Sequence, residues 1–237
     1  DVGATTISSS VDKVGARWSR RGFALSCLGG VGCLALPVRG RAESLPLERR
    51  FAIFRDDNEI GRHEVRFTPT ANGFDVSTDI DIKVKVAFIT AFHFSQRAND
   101  RWIGGQLVES RVTTDDNGKE SSTEIEARGP TLKVEGGVEN RSLQVPLGTM
   151  TDIAFWNLDI VRQRSLVDIQ KAILTDVAAA SAGSETITLA GGPITVARFT
   201  INSQSGRNGD IWFDADGNWV KGRLVTRGET LDYRLIA

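Results

Sequence analysis

The chain is poor in the residues that most often do chemistry. Of its 237 residues only two are cysteine, two histidine, one methionine and one tyrosine. Cys27 and Cys33 both fall inside the apolar run from Gly22 to Val38, so the chain beyond it has no thiol. That excludes a disulfide framework, a cysteine nucleophile and a cysteine metal site from the remainder. His63 and His93 are its only imidazoles, which leaves little of the usual general base and metal ligand near neutral pH. A Gly-x-Ser-x-Gly elbow, a phosphate-binding loop and a His-Glu-x-x-His pair are all missing. So is a membrane-length run. The stretch from Gly22 to Val38 has 17 residues, four of them glycine, where a span needs roughly 20 predominantly apolar ones. Net charge is −1 overall, and from Glu43 onward 23 basic residues stand against 28 acidic ones. Such a balance offers no electrostatic footprint for nucleic acid or for an anionic membrane surface.

What is present first is an address. Lys13, Arg17, Arg20 and Arg21 form a positive flank ahead of the glycine-diluted apolar run, and Gly40-Arg41-Ala42 supplies small residues for cleavage. Ser19-Arg20-Arg21-Gly22-Phe23 resembles a twin-arginine export signal. Ala24 departs from that pattern, which usually has a larger apolar residue there, and an ordinary general-secretion signal is the alternative. The expectation is a cleaved signal over residues 1–42 and a single domain over 43–237, exported to the periplasm of a Gram-negative-type bacterium or secreted. Cleavage would leave no permanent membrane span. Arg20, Arg21 and Phe23 would be the residues read by the twin-arginine machinery.

From Phe51 onward the pattern has period two, broken by turn dipeptides, as in an antiparallel sheet with one buried face. Its clearest run sets Phe74, Val76, Thr78, Ile80, Ile82, Val84 and Val86 against polar Asp75, Ser77, Asp79, Asp81, Lys83 and Lys85. Further strands are expected over 51–55, 60–67, 92–100, 102–113, 119–127, 132–135, 186–189, 194–202, 210–214, 218–226 and 230–236. Asp56-Asp57-Asn58, Asn72-Gly73, Asp115-Asp116-Asn117-Gly118, Gly191-Gly192-Pro193 and Asp216-Gly217 punctuate them. Thr151 to Asn157 reads as a short helical element, while 165–180 fits either a helical stripe or a hairpin. The fold class is therefore all-β with minor α: one curved antiparallel sheet, closing as a β-barrel or half-barrel, with a short helical plug.

Ile60-Gly61, Trp102 with Gly105 and Leu107, Asn117-Gly118-Lys119, Phe155-Trp156-Asn157, and Trp212-Phe213-Asp214 with Asp216-Gly217 carry a family resemblance. On these residues, over most of 51–237, the sequence resembles a family of secreted bacterial β-proteins known only as a domain of unknown function. In outline such proteins are similar to the curved sheets of lipoprotein carriers of the LolA and LolB type. The resemblance implies a barrel or half-barrel able to hold an apolar ligand, and no reaction.

The candidate residues are few. His63 alternates with Val65 and Phe67 and is expected to face inward with them, whereas His93 shares its face with Ala91 and Ser95. Asp214-Ala215-Asp216-Gly217-Asn218 superficially suggests a calcium loop, but position twelve is Val225 where an EF-hand needs glutamate, so a hairpin turn is expected. Phe155, Trp156 and Asn157 put two aromatics and an amide on one irregular element, the candidate plug of the concave side. Together with His63 they are the candidate ligand contacts, against a simpler role in the core. No cofactor or metal is expected. The partner expected is an apolar or amphipathic small molecule such as a lipid, with an enzyme using the same cavity or an envelope assembly factor as alternatives.

Overall fold

The computed structural model describes residues 47–86, 89–204 and 206–236, and the export-signal reading of Arg20, Arg21 and Phe23 lies outside them. Fifteen strands follow in chain order. They are β1 Glu48–Arg55, β2 Asn58–Thr70, β3 Gly73–Val86, β4 Ile89–Ile103, β5 Gln106–Asp116, β6 Lys119–Arg128, β7 Thr131–Gly136 and β8 Arg141–Pro146. The rest are β9 Met150–Thr151, β10 Ser165–Asp168, β11 Ile173–Leu189, β12 Gly192–Ser203, β13 Asn208–Phe213, β14 Trp219–Thr226 and β15 Glu229–Leu235. Between β9 and β10 lies one 3₁₀ turn, Leu158–Arg162.

All fifteen belong to one sheet, in the order β8 to β1 and then β15 to β9. The first and last strands pair in its middle, with Phe51 opposite Leu235 and Ile53 opposite Tyr233. Two meanders fan out from that seam. Every pairing between neighbours is antiparallel except that of β9 with β10. The sheet curls until its two halves touch without closing. Val138 N donates to Gln170 O at 3.0 Å, and Gln170 Nε2 to Asp116 Oδ2 at 2.8 Å. These groups stand far apart in strand order, so only a strongly bent sheet brings them together.

Turn chemistry sets the register. Asp56 and Asp57 have φ of 48° and 62°, and Asn117 and Gly118 have 54° and 87°, the left-handed pairs that a tight two-residue hairpin needs. Asn72-Gly73 behaves differently from the expectation. Thr70 faces Gly73 across the ladder, so the loop is Ala71-Asn72 and Gly73 already belongs to β3. Its glycine serves close approach: a Cβ there would sit 1.9 Å from the Trp102 carbonyl oxygen. The strand expected over 102–113 is broken at Gly104 and Gly105, whose φ of 59° and 77° make them the hairpin between β4 and β5. Residues 165–180 are strands, with Leu166 paired to Thr175 and Val167 to Leu174. The helical element starts later than the sequence suggests, because Asn157 rather than Thr151 is its cap: Asp159 N donates to Asn157 Oδ1 at 2.9 Å.

Alternation buries one face. Phe51, Ile53, Val65, Phe67, Val76, Ile80, Ile82, Trp102, Leu107, Ile125, Leu132, Ile211, Phe213, Trp219 and Leu231 share the concave core. A small second cluster of Val196, Trp212 and Val220 lies apart from it. Trp212 alternates with the core residues Ile211 and Phe213 and so stands on the opposite face. There it is flanked by the Lys221 ammonium 4.5 Å from its ring.

Candidate functional site

The concave side has two unlike ends. At the end carrying the β2–β3 and β4–β5 turns, Trp156 packs edge-on against Phe67, Phe74 and Trp102 with centroids 5.1, 5.8 and 5.1 Å away. That end is solid. Trp156 is buried there, and Asn157 caps the 3₁₀ turn. Neither lines the cavity described next, so both stand in the structural roles weighed against ligand contact above.

The other end, near the β1–β2 and β14–β15 turns, holds an open-mouthed cavity of about 810 Å³. Its wall is mostly aliphatic and aromatic: Ile60, Ile80, Ile82, Phe92, Phe94 and Leu231, among others. Phe155 and His63 line it too, so two of the four candidate ligand contacts meet at one site. Pockets of roughly 300–1,000 Å³ with apolar walls and a few placed polar groups are the usual form of small-molecule sites.

Polar groups gather at one region of this wall. His63 is 1% exposed and sits among Phe51, Trp219 and Tyr233, with ring centroids 6.3, 5.2 and 5.8 Å away. Both its ring nitrogens lack a hydrogen-bond partner. Desolvation pushes its pKa down to about 3, so the imidazole is neutral at any ordinary pH. No carboxylate or hydroxyl is within hydrogen-bond reach of it, which leaves it outside any acid–base pairing among the described residues. Tyr233, also buried, lines the cavity beside it, and burial raises its phenol to about 12 with the Arg207 charge pulling the other way. It is therefore a hydrogen-bond donor, not a phenolate.

Arg207, from the loop between β12 and β13, reaches the cavity and places Nη1 2.6 Å from Oδ2 of buried Asp152. The Asp152 oxygen has no aligned hydrogen bond in spite of that closeness, so the contact is an ion pair with poor hydrogen-bond geometry. Burial raises Asp152 to about 6, opposed by Arg207 and reinforced by the neighbouring charge of Asp168. Asp168 itself is held by the backbone, accepting from Gln170 N and Lys171 N at 3.1 and 3.0 Å. Across the mouth, Arg227 Nη1 donates to Asp116 Oδ1 at 3.0 Å.

The remaining sequence candidates resolve simply. His93 points away from the cavity and pairs with Asp81 at 3.1 Å. Asp214 Oδ1 accepts from the backbone N–H of Asp216 and Asn218 at 3.0 and 2.8 Å, so the calcium-like segment is a self-satisfied turn. Among the described residues no group of three or more histidine, cysteine or acidic side chains is arranged to hold a metal. Sequence reasoning passed over Tyr233 and Arg207. The first was findable, since the Leu231-Asp232-Tyr233 alternation along β15 puts residue 233 on the buried face with Leu231. Arg207 lies in a Gly-Arg-Asn-Gly loop that carries no such pattern.

No functionally curated protein matches the chain. Among solved structures it is similar to the crystal structure of a beta-barrel-like protein of a domain of unknown function, DUF1849, from Brucella abortus. The two are 9% identical over 80% of this chain and 94% of that one, with a TM-score of 0.58. At that identity the likeness is one of fold alone. The model of a family described as a domain of unknown function (DUF6134) matches residues 51–236, nearly the whole of the sheet, and the chain belongs to that family.

Proposed function

We propose that this domain is a binding or carrier protein that takes up an apolar or amphipathic molecule in the hollow end of its curved sheet. The observation that carries the reading is the contrast inside one core. Trp156 and its neighbours fill one end, while a cavity of about 810 Å³ with an apolar wall is left at the other. An open concavity of that size leaves its apolar wall facing water, and covering that wall favours a ligand. The size suits one single-chain amphiphile or one compact ring system better than a two-tailed lipid. The same proposal places the protein in the periplasm, exported through its twin-arginine segment.

Native mass spectrometry of protein purified from the periplasm, followed by solvent extraction, tests the binding reading. A defined extractable molecule supports it. Replacing Ile82, on the cavity wall, by tryptophan should exclude that molecule while the fold persists. Loss of neither mass nor extractable material in I82W, or an unliganded wild type that takes up no amphiphile, would sink it. Export is tested separately by R20K/R21K, which should retain the precursor in the cytoplasm.

A further inference from the structure

We infer that the cavity recognises an acidic head group, and that Arg207 is the residue that binds it. This rests on the cavity being a ligand site, and it adds the chemical class of what enters. A guanidinium has five N–H donors in a planar fork. Arg207 commits Nη1 to Asp152, without hydrogen-bond alignment, and has no other partner among the described residues. Its side chain is 21% exposed and lines the cavity, so the unused edge of the fork is within reach of a ligand there. Two further polar side chains line the cavity with it. Tyr233, 7% exposed, lines the cavity with its neutral phenol, and His63, 1% exposed, has both ring nitrogens unpartnered. Buried polar groups are nearly always satisfied, and those left open in a cavity are satisfied by what occupies it.

The sign of the head group follows from which charge is easiest to replace. Asp152 is buried between Arg207 and the like charge of Asp168, and its carboxylate is disfavoured there. An incoming anion that takes over as counter-ion to Arg207 lets Asp152 accept a proton from solvent. The ligand thus exchanges one carboxylate for another acid, and charge balance is kept by uptake of one proton. The groups facing Asp152 are Arg207 from the β12–β13 loop, Asp168 from β10 and the Ile169 N–H, which donates to Oδ1 at 3.3 Å. Lys171, 3.6 Å from Asp168, holds that second carboxylate in place. The tail of the ligand would lie along Ile80, Ile82 and Phe94, away from the charged loop.

Calorimetry of the full domain with three dodecyl probes below their micellar range decides the matter. They are dodecyl sulfonate, whose head is charged at every working pH, dodecanol, and dodecyltrimethylammonium. The sulfonate should bind at least about tenfold more tightly than dodecanol, the scale of one charge-assisted hydrogen bond, and its affinity should rise as pH falls from 7.5 to 5.5. D152N should tighten sulfonate binding several-fold and remove that pH dependence, because Arg207 is then left without a counter-ion. D152N/R207Q, which leaves no buried charge unpaired, should bind sulfonate and dodecanol alike, with dodecanol affinity as in the wild type. A residue holding the loop in place without touching ligand would not yield opposite effects in these two variants. Equal binding of sulfonate and dodecanol by the wild type overturns the inference and spares the cavity, as does preference for the ammonium through the ring of aromatics. Failure of all three probes to bind overturns both.

Discussion

The two ends of the concave face are made from the same strands by the same alternation, yet one is solid and the other hollow. Inward positions at the solid end are Phe67, Phe74 and Trp102, and the irregular segment between β9 and β10 drops Trp156 among them. At the hollow end the inward positions are mostly aliphatic, as with Ile60, Ile80 and Ile82, and only Ile153 and Phe155 of that segment reach the wall. The sheet therefore fixes the container, while a few residues crossing one mouth decide how much of it stays empty. Filling is a matter of where a single loop lies, and it is open to change without disturbing the strands.

The sharpest way to break this comparison is to truncate one aromatic at each end. Trp156→Ala removes a ring with three aromatic neighbours from a closed core, a change that costs about 3–5 kcal/mol. Phe92→Ala removes a half-buried ring that already borders empty space, and should cost about 1 kcal/mol or less. Urea denaturation of both variants reads the difference directly. Equal losses would mean that the hollow end is packed in solution, and the contrast would fail.

Between the ends sits His63, and pH separates its contribution from the rest. Its folded pKa of about 3 lies below the unfolded value near 6.5. Stability from keeping it neutral is thus fully present above about pH 6.5 and is lost as pH falls toward 3. The slope is about 1.4 kcal/mol per pH unit, or about 3 kcal/mol at pH 4.5. H63F keeps an aromatic body in the Phe51, Trp219 and Tyr233 cage and cannot protonate. Chemical denaturation should show H63F losing about 3 kcal/mol less than the wild type on going from pH 7.5 to 4.5, whatever the opposite contribution of Asp100 and Asp152 common to both. An unchanged slope in H63F would mean that the imidazole is solvated in solution, and that the cavity extends further toward the seam.

How much of this was legible beforehand follows from the range over which each signal acts. Alternation is local, so β3 and the inward turn of His63, Val65 and Phe67 could be read from residues two apart. The Asp-Asp and Asn-Gly hairpins were readable for the same reason, because the left-handed backbone they need is a property of those residues. Gly73 and Gly104-Gly105 were misjudged, since one serves contact with a neighbouring strand and the other pair break a run that looks continuous in Trp102 to Thr113. Residues 165–180 were ambiguous because Leu166, Ile169, Ile173 and Val177 satisfy a helical period as well as a hairpin. The site divides in the same way. Phe155 and His63 were found through local pattern, whereas the Asp152–Arg207 contact joins positions 55 apart in sequence that no short-range rule connects.

Asp100 offers a smaller test at the solid end. Burial raises its carboxyl to about 6, moderated by Ser110 Oγ, which donates to Oδ1 at 2.6 Å, and by the nearby Trp102 indole. That indole N–H is near enough to favour the charge but lacks the geometry of a hydrogen bond. Because the folded pKa is raised, its contribution is fully present below about pH 4 and is lost as pH climbs through 6, an effect opposite in sign to that of His63. The loss amounts to roughly 2–3 kcal/mol. D100N should reduce the alkaline-side fall in stability between pH 4.5 and 7.5 by that amount, leaving the parallel share of buried Asp152 and the acid-side loss from His63 intact. If the fall is as large in D100N as in the wild type, the solid end admits water to that carboxylate and is less tightly filled than Trp156 implies.

The smallest effect on stability is expected at the mouth of the hollow end, where it has the most to say about exchange. Arg227, in the β14–β15 turn, joins Asp116 at the end of β5 through both guanidinium nitrogens, bridging strands far apart in the sheet. The Arg227 side chain is half exposed, and an exposed ion pair contributes about 1 kcal/mol or less. R227A should therefore shift the urea midpoint little. The same pair, however, ties two walls of the opening together, and Arg227 also lies 5.3 Å over the Phe92 ring on the cavity wall. Stopped-flow release of bound dodecyl sulfonate should be faster in R227A, with stability nearly unchanged. A container held shut by its strands would release at the wild-type rate, and one whose mouth is latched by side chains would not.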